Sequence, residues 1–442
     1  MSRDVLITGL GPVSALGLGK DDNWEALCAG RCGLAVITAF DASKMGAPIA
    51  GEVPEFKIRD FVPKSYRKAT KVMARDIELA VVAADLAVRD AGLVTPGTDA
   101  DTERTYPAER TGCHIGAGLI AADTDELTAA LAESTDAKGV FDLKHWGSEG
   151  MQQLTPLWLL KYLPNMLACH VTIVHDAQGP SNTITCGEAS GGLSIGESLR
   201  VIQRGDADVC LAGGAVSPMN PMAYYRQVLT GRLAGDHAMK NAGGCVRPFD
   251  QNQNGGAVGE GGGIIVLEAA DTFESRTGEK RAYAKLLGFA SSQTVNRDNA
   301  NATPDVHGRG IAAAIRGALR DADSEPGDID AVVPFGLGHG DWDPPEAEAL
   351  RGVFGDRLSG LPVVSLKSSV GNLHAGAGGY ELAVAALMLH HGRTVPILNR
   401  GVPMPGFECK KLEGKLERVL VVATSVGGQN TACVLGQAED AS

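Results

Sequence analysis

The chain has 442 residues, 44% apolar and 21% charged, which suits a globular protein able to bury one large core or two medium ones. Its net charge of −13 argues against nucleic acid or an anionic membrane as the main partner. No apolar run reaches membrane-spanning length, Met1-Ser2-Arg3-Asp4 leads into a strand without the pattern of a signal peptide, and the nine cysteines are scattered without CxxC pairs, so a cytoplasmic protein with no metal centre is expected.

Taken in order, Val5-Leu6-Ile7-Thr8 reads as a buried strand ending in the turn Gly9-Leu10-Gly11-Pro12. This is no dinucleotide fingerprint, because Ser14 takes the third glycine's place and Pro12 breaks the helix start, and no cofactor is expected. Lys64-Ser65-Tyr66-Arg67-Lys68-Ala69-Thr70-Lys71 is a local basic run in an acidic chain, readable as a solvated helix start or as a docking patch for an acidic protein. From Lys71 to Ala91, Val72, Met73, Ile77, Ala80, Val81, Ala84 and Val88 follow helical spacing, with Gly92 as the C-terminal cap. A polar loop over 95–109 precedes the strand Gly112–Gly116, and 121–162 reads as a helical cap. Ala207–Gly214 and Gly263–Glu268 are core strands.

The pattern then returns. Tyr283–Phe289 is a strand and Gly310–Asp323 a helix, and Val88-Arg89-Asp90-Ala91-Gly92 is echoed by Leu319-Arg320-Asp321-Ala322-Asp323. Val363–Leu366, a helix over Gly378–His391 and the strand Val419–Thr424 complete a second α/β set. Alternating strands and helices predict mostly parallel sheets covered on both faces. The expected fold class is α/β, with two related halves in five α-β-α-β-α layers: residues 1–275 with the cap inserted, and residues 276–442.

The run from Gly179-Pro180-Ser181 through Cys186-Gly187-Glu188-Ala189-Ser190-Gly191 to Ile195-Gly196 is the most specific in the chain. It resembles the nucleophile elbow of β-ketoacyl-carrier-protein synthases, the ketosynthases of the thiolase superfamily. Aligned without gaps, Glu188 takes the position of the nucleophilic cysteine. Cys186, two residues earlier, becomes the nucleophile only if the match on both sides is broken.

The resemblance extends through Ile7-Thr8-Gly9-Leu10-Gly11, Arg247-Pro248-Phe249-Asp250, Gly259-Glu260-Gly261 and Gly427-Gly428-Gln429-Asn430. It implies the thiolase fold and a site built from one Cys and two His, where the thiol carries the acyl chain and the histidines stabilise an enolate. Here Phe335 stands at the first histidine position and Asn372, after Lys367-Ser368-Ser369-Val370-Gly371, at the second. His339 and His374 lie four and two residues past those positions, and the offset predicts surface or core roles for both. Lys367 and Glu381 match a supporting pair and are expected as a buried ion pair near the site. Val426, with Gly427 and Gly428, stands where the family has an acyl-gate loop, often with a bulky phenylalanine. The resemblance also favours the docking reading of the basic run, with Lys64, Arg67, Lys68 and Lys71 facing an acyl carrier protein.

With the triad replaced, condensation by this chain alone is not expected. The resemblance narrows to the chain length factors of type II polyketide systems, which carry a polar residue, usually Gln, at the nucleophile position. Glu188-Ala189-Ser190-Gly191-Gly192-Leu193 and Thr230-Gly231-Arg232-Leu233 resemble their runs. The implied function is a non-condensing subunit that pairs with an active ketosynthase and shapes the acyl tunnel, meeting an acyl carrier protein with its phosphopantetheine-bound chain. Two alternatives stand beside it: a malonyl-carrier-protein decarboxylase, or an acyltransferase or cyclase using Glu188 as a general base with its pKa raised by burial.

Overall fold

The computed structural model describes residues 3–46, 48–235, 240–278, 282–294, 303–409 and 413–438. Its first half contributes strands β1 (Val5–Ser14), β2 (Thr111–Ala117), β3 (Ser181–Ile184), β4 (Val209–Val216) and β5 (Gly261–Ala269). The second contributes β6 (Ala284–Gln293), β7 (Ala331–Val333), β8 (Arg418–Thr424) and β9 (Gln429–Gly436). One sheet runs in the order β3-β2-β4-β5-β1-β6-β9-β8-β7, with the two-residue strand Gly17–Leu18 alongside β1. Val363 joins outside β7 through a parallel bridge to Val332.

The repeat is visible in this order. Each half reads third, second, fourth, fifth, first from its outer edge, with the stretch at Val363 as third member of the second half. The two first strands pair with each other, Leu6 opposite Lys285. Pairing is parallel among the outer strands and antiparallel for β4 with β5, β5 with β1, β8 with β9 and β9 with β6. The expectation of mostly parallel sheets is therefore corrected to a mixed sheet. The reason is local in the second half, where the tight turn over 425–428 leaves β8 and β9 only an antiparallel pairing.

Six helices build the layers: α1 (Arg75–Asp90), α2 (Met166–His175), α3 (Ser190–Gln203), α4 (Arg309–Asp321), α5 (Asp343–Phe354) and α6 (Ala377–His391). Helices α1 and α2 cover the outside of the first half-sheet, α4 and α5 the outside of the second, and α3 and α6 pack against strands of both. Every residue of α6 from Ala377 to Leu389 is buried, as an interior helix without a polar face must be. Helix α1 stops at Gly92, whose φ of 64° is the left-handed cap that the sequence predicts. The segment 121–162 carries helices at Thr124–Glu133 and Leu143–Ser148 and 3₁₀ turns at Gly150–Gln153 and Trp158–Tyr162, joined by loops. A helix over Ala270–Thr277 spans the expected division between the halves. No helix among the described residues is long and apolar enough to cross a membrane.

The middle layer positions the site. A Cβ on Gly378 would lie 2.4 Å from the Gly192 nitrogen, and one on Gly379 only 1.9 Å from the Gly263 carbonyl oxygen. Glycine at these positions lets the first turn of α6 meet the first turn of α3 on one side and strand β5 on the other, backbone to backbone. The residues just before those turns, Glu188 on one side and Asn372 to His374 on the other, are brought together by that contact.

Candidate active site

The elbow is held by the Ser190 hydroxyl. The Cys186 N–H donates to Ser190 Oγ at 2.8 Å, and the Ser190 hydroxyl donates to the Gly187 carbonyl at 2.7 Å. Gly187 takes a φ of 57°, and a Cβ there would lie 3.2 Å from Ser425 Cβ, so the elbow rests against the loop before β9. A single 3₁₀ turn over Gly187–Ala189 then presents Glu188 inward, 1% exposed.

A carboxylate buried this deeply needs compensation. Arg232 supplies it, with Nη1 2.8 Å from Glu188 Oε1 and the whole residue 6% exposed. Arg232 sits in the long excursion between β4 and β5, just past the helix Pro221–Leu229. Its Nη2 donates to Gln227 Oε1 at 3.3 Å, its Nε to Thr230 Oγ1 at 3.4 Å, and its guanidinium lies 5.0 Å from the centre of the Trp342 ring. Asn372 Nδ2 donates to the same Glu188 oxygen at 3.1 Å, and His374 Nδ1 stands 3.4 Å from it. Burial opposes ionisation of Glu188, but the Arg232 charge together with the His374 hydrogen bond outweighs it and holds the carboxyl well below its usual range. The condition for a general base, a pKa raised by burial, is thus reversed by a partner 44 residues along the chain.

Phe335 follows β7 and is fully buried, 5.5 Å from Trp342 between ring centres. Its backbone is fixed by α5: the N–H groups of Phe335 and Gly336 both donate to the Glu346 carboxyl at 2.8 Å, and Gly338 N–H donates to Asp343 at 2.9 Å. Burial pushes Glu346 up to about 8 and Asp343 up to about 6. Lys367 Nζ donates to Glu381 Oε1 at 2.6 Å and lies 4.4 Å from the centre of the Phe335 ring. Glu188, Phe335, Asn372, Lys367 and Glu381 therefore gather in and around one buried cluster.

His374 corrects the expectation from its offset. Its N–H donates to Asn372 Oδ1 at 3.0 Å and its φ is 43°, so the chain folds back and sets the ring beside Glu188. His339 is half-buried, with Nε2 3.2 Å from the Gly231 carbonyl, bracing the loop that carries Arg232. Arg232 itself is the residue that sequence reasoning missed as a site member. The available signal was physical, since a buried Glu requires a cation and Arg232 lies in a run already singled out.

Val426 and Gly427 are exposed and Gly428 is buried, in the turn joining β8 to β9 beside the elbow. Lys64, Arg67, Lys68 and Lys71 are all exposed, Lys64 and Lys71 on the short 3₁₀ turns Lys64–Tyr66 and Ala69–Val72 and Arg67 and Lys68 in the link between them. That segment is anchored by the Tyr66 hydroxyl, 2.8 Å from His170 Nδ1 on α2.

The model for the β-ketoacyl synthase N-terminal domain matches residues 2–272, and that for the C-terminal domain matches residues 283–400. The chain is 30% identical over 408 residues to the 3-oxoacyl-(acyl-carrier-protein) synthase 2 of Staphylococcus aureus strain COL, covering 92% of this chain and 90% of that protein. Among solved structures it resembles the ishigamide ketosynthase/chain length factor, with a TM-score of 0.80 and 28% identity over 99% of this chain and 100% of that one. It also resembles a β-ketoacyl synthase from Burkholderia phymatum STM815, with a TM-score of 0.81 and 25% identity over 99% and 100% of the two chains.

Proposed function

The chain belongs to the β-ketoacyl synthase family, and from that premise we propose that it is a non-condensing member: a chain length factor that pairs with an active ketosynthase and shapes the acyl tunnel between them. The observation that carries this reading is the Glu188–Arg232 ion pair, standing where the resemblance places a thiol nucleophile. A carboxylate bound to a guanidinium is a poor acyl acceptor, and the anhydride it would form is a labile store for a growing chain. Phe335 has no polar side-chain atom to offer an enolate.

The same pair weighs against both alternatives. A carboxyl held far below neutral pH is a weak proton acceptor, which disfavours a base-driven acyltransferase or cyclase. A decarboxylase needs donors free to stabilise an enolate, whereas Arg232 and Asn372 are committed to Glu188.

Pairing is supported by surface features. Strand β3 ends the sheet and its first two residues, Ser181 and Asn182, are exposed, leaving an edge able to accept another strand. Leu119, Tyr225 and Leu229 are exposed apolar residues in two neighbouring segments, tied by the Arg226 guanidinium on the Leu119 carbonyl. The partner is a ketosynthase retaining Cys and both His. The second partner is an acyl carrier protein meeting Lys64, Arg67, Lys68 and Lys71, and the turn at Val426, Gly427 and Gly428 serves as the acyl-gate loop.

The test is intact mass spectrometry of malonyl-loaded carrier protein incubated with this chain alone and with a co-expressed Cys-containing ketosynthase. The expected result is no change alone, and elongation to a defined length when the two proteins co-purify. Loss of carbon dioxide with this chain alone would overturn the reading in favour of a decarboxylase.

A further inference from the structure

Three side chains from two segments of the chain, Arg232 in one and Asn372 and His374 in the other, converge on one oxygen of Glu188. Arg232 Nη1 is 2.8 Å away, Asn372 Nδ2 3.1 Å and His374 Nδ1 3.4 Å. They are 6%, 3% and 9% exposed. Each is also positioned by groups other than Glu188. Gln227, Thr230 and Trp342 aim the guanidinium. The Asn372 backbone is bound to Ala257 and bridged to Val258, while its side-chain oxygen accepts the His374 N–H. His374 carries a further signal, since its Nε2 is buried without a hydrogen-bond partner among the described residues. A buried, unused ring nitrogen next to the groups that hold the Glu188 carboxylate is an open polar position.

We propose that Arg232, Asn372 and His374 form a carboxylate-binding site, and that Glu188 fills it from within as a stand-in for the carboxylate of a small acid such as a malonyl half-thioester. A planar guanidinium flanked by an amide and an imidazole offers the charge and donor geometry that a carboxylate takes. The inference concerns binding alone, with no bond made or broken. It rests on the non-condensing reading and deepens it: a carboxylated extender is kept out because its counter-charge is already occupied by the protein's own side chain. Removing that side chain uncovers a buried cation without its anion, which the protein then fills from solution.

The experiment is thermal unfolding of the full-length Glu188→Ala variant, titrated with sodium formate or sodium acetate. Acetamide tests shape without charge, and sodium chloride at matched ionic strength tests screening. The expected result is a saturable upward shift of Tm with formate and acetate, absent with acetamide and chloride and absent in the parent protein. The double variant Glu188→Ala, Arg232→Leu should lose the shift. Equal responses to acetate and chloride in Glu188→Ala would overturn the proposal. If Glu188→Ala is recovered only by refolding, the readout becomes soluble yield in formate against chloride: a carboxylate-dependent yield supports the site and equal yields reject it. No ketosynthase is present in this assay, so its failure would leave the chain-length reading intact. Failure of the co-expression experiment would likewise leave the carboxylate site standing.

Discussion

The ammonium of Lys367 lies 4.4 Å from the centre of the Phe335 ring while bonding Glu381 at 2.6 Å, so one buried cation is shared between a carboxylate and an aromatic face. The ring fills the position where the resemblance expects a histidine, and the supporting charge pair stands behind it. Under the proposed function, the scaffold of a catalytic site serves here as packing.

Breaking this pair on one side should be costly. Lys367→Met or Glu381→Leu alone is expected to destabilise the protein by about 3–5 kcal/mol, because each leaves an unpaired charge in the core. The double variant should recover most of that loss. Denaturant unfolding of the three variants checks it, and double-variant costs equal to the sum of the singles would refute the coupling.

Glu188→Gln should cost about 3–5 kcal/mol near neutral pH, since the amide keeps the shape but leaves Arg232 without its counter-charge. The folded carboxyl lies below its ordinary value of 4.5, so its contribution is fully present above about pH 4.5 and is lost as pH falls through the folded pKa. The gap between parent and variant should therefore stay constant from pH 5 to 7 and narrow in more acid solution. Denaturant midpoints across that range measure it.

Glu346 predicts the opposite slope. Its pKa rises from 4.5 unfolded to about 8 folded, so its proton-linked stability is present below about pH 4.5 and lost as pH rises toward 8. Glu346→Gln removes the titration and keeps an acceptor for one of the Phe335 and Gly336 N–H groups, which bond separate oxygens of the carboxyl, so a fixed cost from the other N–H is expected at every pH. Relative to the parent, this variant should gain stability steadily between pH 5 and 8. A pH-independent difference would show that the buried carboxyl does not titrate there.

An isolated Glu188→Cys variant should show no condensation. A thiol at the elbow restores a nucleophile, but Phe335 remains and Asn372 supplies only an amide. Elongated product on a malonyl-loaded carrier protein, seen by intact mass, would contradict this.

Reversing Lys64, Arg67, Lys68 and Lys71 to glutamate should weaken acyl carrier protein binding at least tenfold at low salt and flatten its salt dependence. Exposed charges steer an acidic partner through screened fields, so the effect should shrink as salt rises. Fluorescence anisotropy with labelled carrier protein at two ionic strengths separates this from a folding defect.

Much of the fold was legible because it is local. The helical spacing of Ile77, Ala80, Val81, Ala84 and Val88, the cap at Gly92 and the all-apolar α6 depend on residues near one another in the chain. Strand direction was less legible, because alternation of strands and helices says nothing about β5 and β9 inserting antiparallel beside the first strand of each half. The elbow run was legible from its anchors, and with it the exchange of a thiol for Glu188.

What the sequence determined by itself was therefore the identity of the groups: a carboxylate at the elbow, a phenyl ring and an amide at the two histidine positions, and a lysine and glutamate behind them. Only the tertiary structure decided what those groups do to one another. It carried Arg232 from a loop beyond β4 to the Glu188 carboxylate, and it turned His374 back through a left-handed residue onto the same oxygen. The reason is physical. A buried charge takes whatever partner the packing delivers, and that delivery depends on the close approach of α3 and α6 at glycines whose spacing records no contact.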